Sequence, residues 1–122
     1  MKLHASGASG ANTITAYGDD YVAVNGTRRE NNIIVTATEV RDWNADDFAH
    51  LSAEHFAELA QLGVEIVLLG TGKRQRFPHP RLTAPLGEAH VGLEVMDTKA
   101  ACRTYNILVA EERRVALALL FG

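Results

Sequence analysis

The chain has 122 residues, 47% of them hydrophobic, and a formal net charge of −3. That length and apolar share suit one domain around one core. The acidic balance argues against nucleic acid, which calls for a broad basic face, and apolar runs such as 115–121 are far too short to span a bilayer.

Residues 1–12 are rich in Ser, Ala and Gly, and 1–11 are expected to be loose. Residues 13–17 read as an edge strand, 18–20 as a turn and 21–24 as a second strand. Asn25-Gly26 between extended segments is a strong hairpin signal. Asn31-Asn32 marks another turn, 33–36 reads as a strand, and 39–43 extends or re-enters it. The first third is therefore expected to be antiparallel. Ser52 is placed to cap a helix over 52–62, with Leu51 and Phe56 as its hydrophobic staple and Gly63 as its stop. Residues 64–69 follow, broken only by Glu65. So little alternation marks a strand covered on both faces. Pro80 opens a further helix over 80–89, which Pro85 is expected to kink or break. Residues 91–96 form the next strand. Asp97 caps a helix over 98–109 whose Ala101, Tyr105 and Leu108 share one face. Arg113-Arg114 turns the chain into a buried last strand over 115–121. This order predicts one α/β domain over 1–122. It has three layers, with a central mixed β-sheet flanked by helices and an N-terminal antiparallel annex.

Two strand exits attract attention. One is Gly70-Thr71-Gly72, followed by Lys73, Arg74 and Arg76; the other runs from Asp97 and Thr98 to Arg103 and Asn106. If strands 64–69 and 91–96 run parallel side by side, both exits share one rim, where open α/β sheets collect ligands. Arg76 or Arg103 would then grip a carboxylate or phosphate, and the helix start would add amide donors. In the structural alternative, Asp97 only caps its helix, Arg103 pairs with Asp97 or Glu94, and Asn106 ties down a loop. Known nucleotide motifs do not fit. A phosphate-binding loop would need glycine at Val67 and Ser or Thr at Arg74, and a dinucleotide fingerprint would need glycine at Gln75.

No catalytic constellation is evident. Cys102 is the only cysteine, so neither an intrachain disulfide nor a cysteine cluster is possible, and a reducing, cytoplasmic setting is expected. The thiol lacks a neighbouring base and reads as a buried structural group, although the first turn of a helix favours a thiolate. The five histidines, His4, His50, His55, His79 and His90, form no ligand motif, so neither metal nor cofactor is expected. Glu94, inside a strand, must face solvent or pair with Arg76 or Arg103. No apolar leader follows Lys2, so no secretory signal is expected.

The blocks LLGTGKRQRFP at 68–78 and EVMDTKAACRTYNILVAEERRV at 94–115 carry a resemblance. From about residue 11 to 122, the chain resembles a small Mth-type α/β domain family of largely unknown function, found in bacteria, archaea and eukaryotes. Its members include an assembly factor of mitochondrial respiratory complex I and an adipogenesis-associated protein. The resemblance implies three layers around a mixed sheet and a groove near Gly70, Thr71, Gly72 and Arg76. It implies no activity and leans toward protein interaction. The chain is accordingly expected to bind another protein, or a second copy of itself, through the groove around 70–76. A small anion held between that loop and the 97–106 helix start is the alternative.

Overall fold

The computed structural model describes residues 10–121, so the expectation for the first nine residues lies outside it. Strands β1 (Ile14–Tyr17), β2 (Val22–Val24) and β3 (Thr27–Arg29) form an antiparallel sheet in that order. A five-stranded sheet follows from β4 (Ile33–Val35), β5 (Val40–Asp42), β6 (Ile66–Thr71), β7 (Gly92–Met96) and β8 (Val115–Leu120). Its order is β5-β4-β8-β6-β7. β6 runs parallel to both β8 and β7, while β4 is antiparallel to β8 and β5. The sheet is therefore mixed, as the sequence predicts, and the first third is antiparallel throughout. Only β1–β3 stand apart as the annex, however, because β4 and β5 join the main sheet.

Alternation along β8 separates two cores. Val115, Leu117 and Leu119 point into one with Ile14, Val22, Val24, Ile33, Ala101 and Tyr105, so the annex and helix α3 (Thr98–Ala110) cover that face. Ala116, Ala118 and Leu120 point into the other with Ile34, Trp43, Phe56, Leu59 and Leu86. Helices α1 (Ala53–Ala60) and α2 (Pro80–Glu88) cover this face. Each large apolar side chain so buried contributes about 1.5–3 kcal/mol relative to leaving it in water.

Local chemistry explains the elements. Asn25 and Gly26 take φ of 52° and 85°, the double left-handed turn that matches the twist of a two-residue hairpin. At α1, Leu51 and Phe56 are both buried, as a staple requires. His55 Nδ1 accepts the Ser52 N–H at 3.0 Å, standing where a capping box has Glu or Gln. The His55 Nε2 lies 2.6 Å from the Asn44 carbonyl, so a neutral ring protonated on Nε2 satisfies both contacts.

Two expectations need revision. β6 does not stop at Leu69. Gly70 pairs with Met96 and Leu119, and Thr71 with Leu120, so the exit lies at Gly72. A Cβ on Gly70 would stand 2.7 Å from Leu119 Cδ2 and 3.1 Å from Thr98 Cα, so this glycine serves close packing inside the strand rather than a turn. α2 is unbroken despite Pro85. Proline removes a single N–H bond, to Arg81 four residues back. The start is secured by Pro80 and by His79 Nδ1 accepting the Arg81 N–H, and the buried Leu86 anchors the end. β8 is the middle strand and β7 an edge, and Glu94 faces solvent, the first of the two alternatives expected for it.

Candidate functional site

β6 and β7 are parallel neighbours, so their exits fall on one rim of the sheet, at Gly72 and at Asp97. The Thr98 N–H donates to the Gly72 carbonyl at 2.9 Å, and the Gly72 N–H donates to Thr98 Oγ1 at 2.9 Å. Thr98 Oγ1 also donates to the Leu120 carbonyl at 2.9 Å. One buried threonine thus ties the ends of β6 and β8 to the start of α3. Gly72 sits at φ 91°, a conformation that a side chain would strain.

The loop beyond is held from within. Thr71 Oγ1 donates to the Arg74 carbonyl at 2.7 Å and accepts the Arg76 N–H at 3.0 Å. The Arg76 guanidinium folds back on the Thr71 carbonyl, at 2.7 Å through Nη2, and lies over the Phe48 ring at 4.7 Å. Gln75 Nε2 donates to the Val95 carbonyl at 2.8 Å, which closes part of the free edge of β7. Lys73 and Arg74 remain exposed.

Two depressions flank this loop. A cleft of about 150 Å³ is lined by Gly18, Asp19, Gly72, Lys73, Asp97, Thr98 and Lys99. It joins four of the sequence-predicted residues, Gly72, Lys73, Asp97 and Thr98. Asp19 already answers its cations. Its carboxylate meets Lys99 at 2.8 Å. The hydrogen bond from Lys99, that lysine's charge and then the charge of Lys73 hold Asp19 below the usual carboxylate range. The donors for an external anion are largely committed as well. Asp97 caps its own helix by accepting the Ala100 N–H at 2.9 Å, and the Thr98 and Gly72 N–H groups serve each other's residues. The second depression, an open groove of about 510 Å³, is lined by Thr71, Lys73, Arg74, Arg76 and Phe121. Phe77, next in the chain, is 70% exposed.

The structure takes Arg103 and Asn106 elsewhere. Arg103 Nη1 donates to the Tyr17 hydroxyl at 2.9 Å rather than meeting Asp97 or Glu94. Asn106 accepts the Ile14 N–H at 2.9 Å and donates to the Ile14 carbonyl at 2.8 Å, which pins β1 of the annex to α3. Cys102 is fully buried, and burial pushes its thiol up to about 12, so no thiolate is presented. Gly70 is buried inside β6 and touches neither depression. Sequence reasoning missed Asp19, Lys99 and Phe121. Asp19 sits in a turn that the sequence does mark, but nothing local says that this turn folds over the start of α3.

The family described as "Protein of unknown function (DUF498/DUF598)" matches residues 14–120. The crystal structure of a protein from Bordetella parapertussis is 44% identical, with a TM-score of 0.87, over 93% of this chain and 98% of that one. NADH dehydrogenase (ubiquinone) 1 alpha subcomplex assembly factor 3 of Danio rerio is 30% identical over 115 residues, 93% of this chain and 66% of that protein. The chain therefore spans about two thirds of the assembly factor's length. A "13 kDa major membrane protein" of Francisella tularensis is 30% identical over 90 residues, 72% of this chain and 73% of that one. No helix among the described residues is long and apolar enough to cross a membrane.

Proposed function

The chain belongs to the DUF498/DUF598 family, and on that footing we propose that it works by binding another protein, as an interaction or assembly factor. The contact in this reading is the groove around residues 70–76. The observation that carries it is the open groove between Arg74 and Phe121, with Lys73 and Arg74 exposed and Phe77 bare beside them. Arginine and aromatic residues around a concave surface are the composition of protein-binding hot spots. The likeness to an NADH dehydrogenase assembly factor supports the same class of work. Cys102 is buried in the core and presents no thiolate at the rim.

The test is recovery of partners on immobilised full-length chain from a lysate of its own cells. It is run beside an Arg74→Glu, Phe77→Ser double variant whose fold is verified by circular dichroism. Both side chains are exposed, so the fold is expected to survive. Partners retained by the parent and lost by the variant support the groove. Equal recovery removes it as the contact.

A second reading places a small anion in the cleft, because Lys73 and Lys99 line it together with Thr98. Asp19, paired with Lys99, and Asp97, whose charge also acts on Lys99, oppose that reading. The cleft is also smaller than the roughly 300–1,000 Å³ of typical ligand sites. Thermal stabilisation by phosphate, lost in Lys99→Ala, would favour it, and no shift on phosphate addition would dismiss it.

A further inference from the structure

Charge is segregated along the chain, in the stretch that carries the loop. From Ile66 to Gly87 there are four cations, Lys73, Arg74, Arg76 and Arg81, and not one Asp or Glu, in a chain whose net charge is −3. Lys73, Arg74 and Arg81 are exposed. The same stretch carries Phe77, one of two large hydrophobic side chains left open among the described residues. Phe121 lines the groove and is only partly buried. Along the groove, Lys73 and Arg74 therefore lie together with Phe121.

We infer that this surface takes an acidic peptide segment bearing a hydrophobic residue, whose carboxylates meet Lys73 and Arg74 and whose apolar side chain settles against Phe121. The inference rests on the protein-binding reading above and adds the chemistry of the partner. A lipid surface fits less well. A groove does not match a flat bilayer, and a few basic residues at about 1 kcal/mol each hold a protein there only weakly. Nucleic acid fits less well again, because useful affinity takes phosphate contacts along a broad basic face.

The experiment is panning of a random-peptide phage library on the full-length chain. Counter-selection uses the Lys73→Glu, Arg74→Glu variant, checked for folding by its circular dichroism melt. Selected peptides are expected to be enriched in Asp and Glu with one recurring hydrophobic position. They are expected to bind the variant on the order of tenfold more weakly and to lose affinity as salt rises. Neutral or basic peptides, or acidic peptides that bind the variant equally, overturn the inference. So does the absence of any selected peptide. If the lysate experiment still shows partners lost with Arg74 and Phe77, the protein-binding reading survives that failure. Vesicles of phosphatidylserine and phosphatidylcholine, and a single-stranded RNA, are run alongside. Binding of either through Lys73 and Arg74 where no peptide binds overturns the inference and the reading together.

Discussion

The Thr98 hydroxyl donates to the Leu120 carbonyl and accepts the Gly72 N–H in a place only 4% exposed. Valine there would keep the shape and strand both backbone groups away from water. An unpaired buried polar group costs about 1–3 kcal/mol, so Thr98→Val is expected to lose about 2–4 kcal/mol in urea unfolding. Thr98→Ser keeps the hydroxyl, gives up one methyl and is expected to lose about 1 kcal/mol. Equal losses would show that packing, not the hydroxyl, holds the rim. Cys102 supplies a prediction about pH. Burial raises its thiol from 9.0 to about 12. Above pH 9 the unfolded chain therefore sheds a proton that the native chain keeps. Stability is undiminished below that value and falls as pH rises toward 12, by up to about 1.4 kcal/mol per pH unit. Burial drives the Tyr105 phenol in the same direction, so the two losses add. Cys102→Ala is expected to show a shallower alkaline decline than the parent, each measured against its own stability at neutral pH. Identical slopes would remove the thiol as a contributor.

At the scale of elements, what the sequence shows depends on how local the deciding forces are. The β2–β3 hairpin and the start of α1 are set by neighbours in the chain. Asn25-Gly26 and Ser52 with Leu51 and Phe56 mark them plainly. α2 is misread because Pro85 is a local signal overridden by the anchoring of Leu86 at the helix's end. The far end of β6 is misread because glycine signals a turn. Here the missing Cβ lets Thr98 and Leu119 approach, and only the assembled sheet reveals that. The shared rim of β6 and β7 is legible, since two apolar strands joined through a helix pair in parallel as a rule. The use made of Arg103 and Asn106 is not. Both reach the annex, more than eighty residues away in the chain, and neither spacing nor composition carries that contact.

For the molecule as a whole, the question is whether the annex folds as a separate unit. Its strands form their own sheet, yet Ile14, Val22 and Val24 share one apolar cluster with Leu117, Leu119 and Tyr105. Detaching the annex would open that cluster to water over β4 and β8. The polar ties point the same way, because Asn106 satisfies both backbone groups of Ile14 and the Tyr105 hydroxyl donates to the Asn12 carbonyl at 2.8 Å. Asn106→Ala removes two of these bonds and leaves the partners on β1 without them, an expected loss of about 2 kcal/mol. If the annex were a separate unit, this variant would lose its β1–β3 signal first. Trp43, buried in the cluster on the opposite face of the sheet, would report later. With a shared core, Trp43 fluorescence and far-ultraviolet circular dichroism must instead fall together, at one lowered urea midpoint. Trp43 is the only tryptophan, so its emission reads that distant face alone. A midpoint for Trp43 unchanged from the parent, beside an earlier loss of strand signal, would show that the two layers unfold independently.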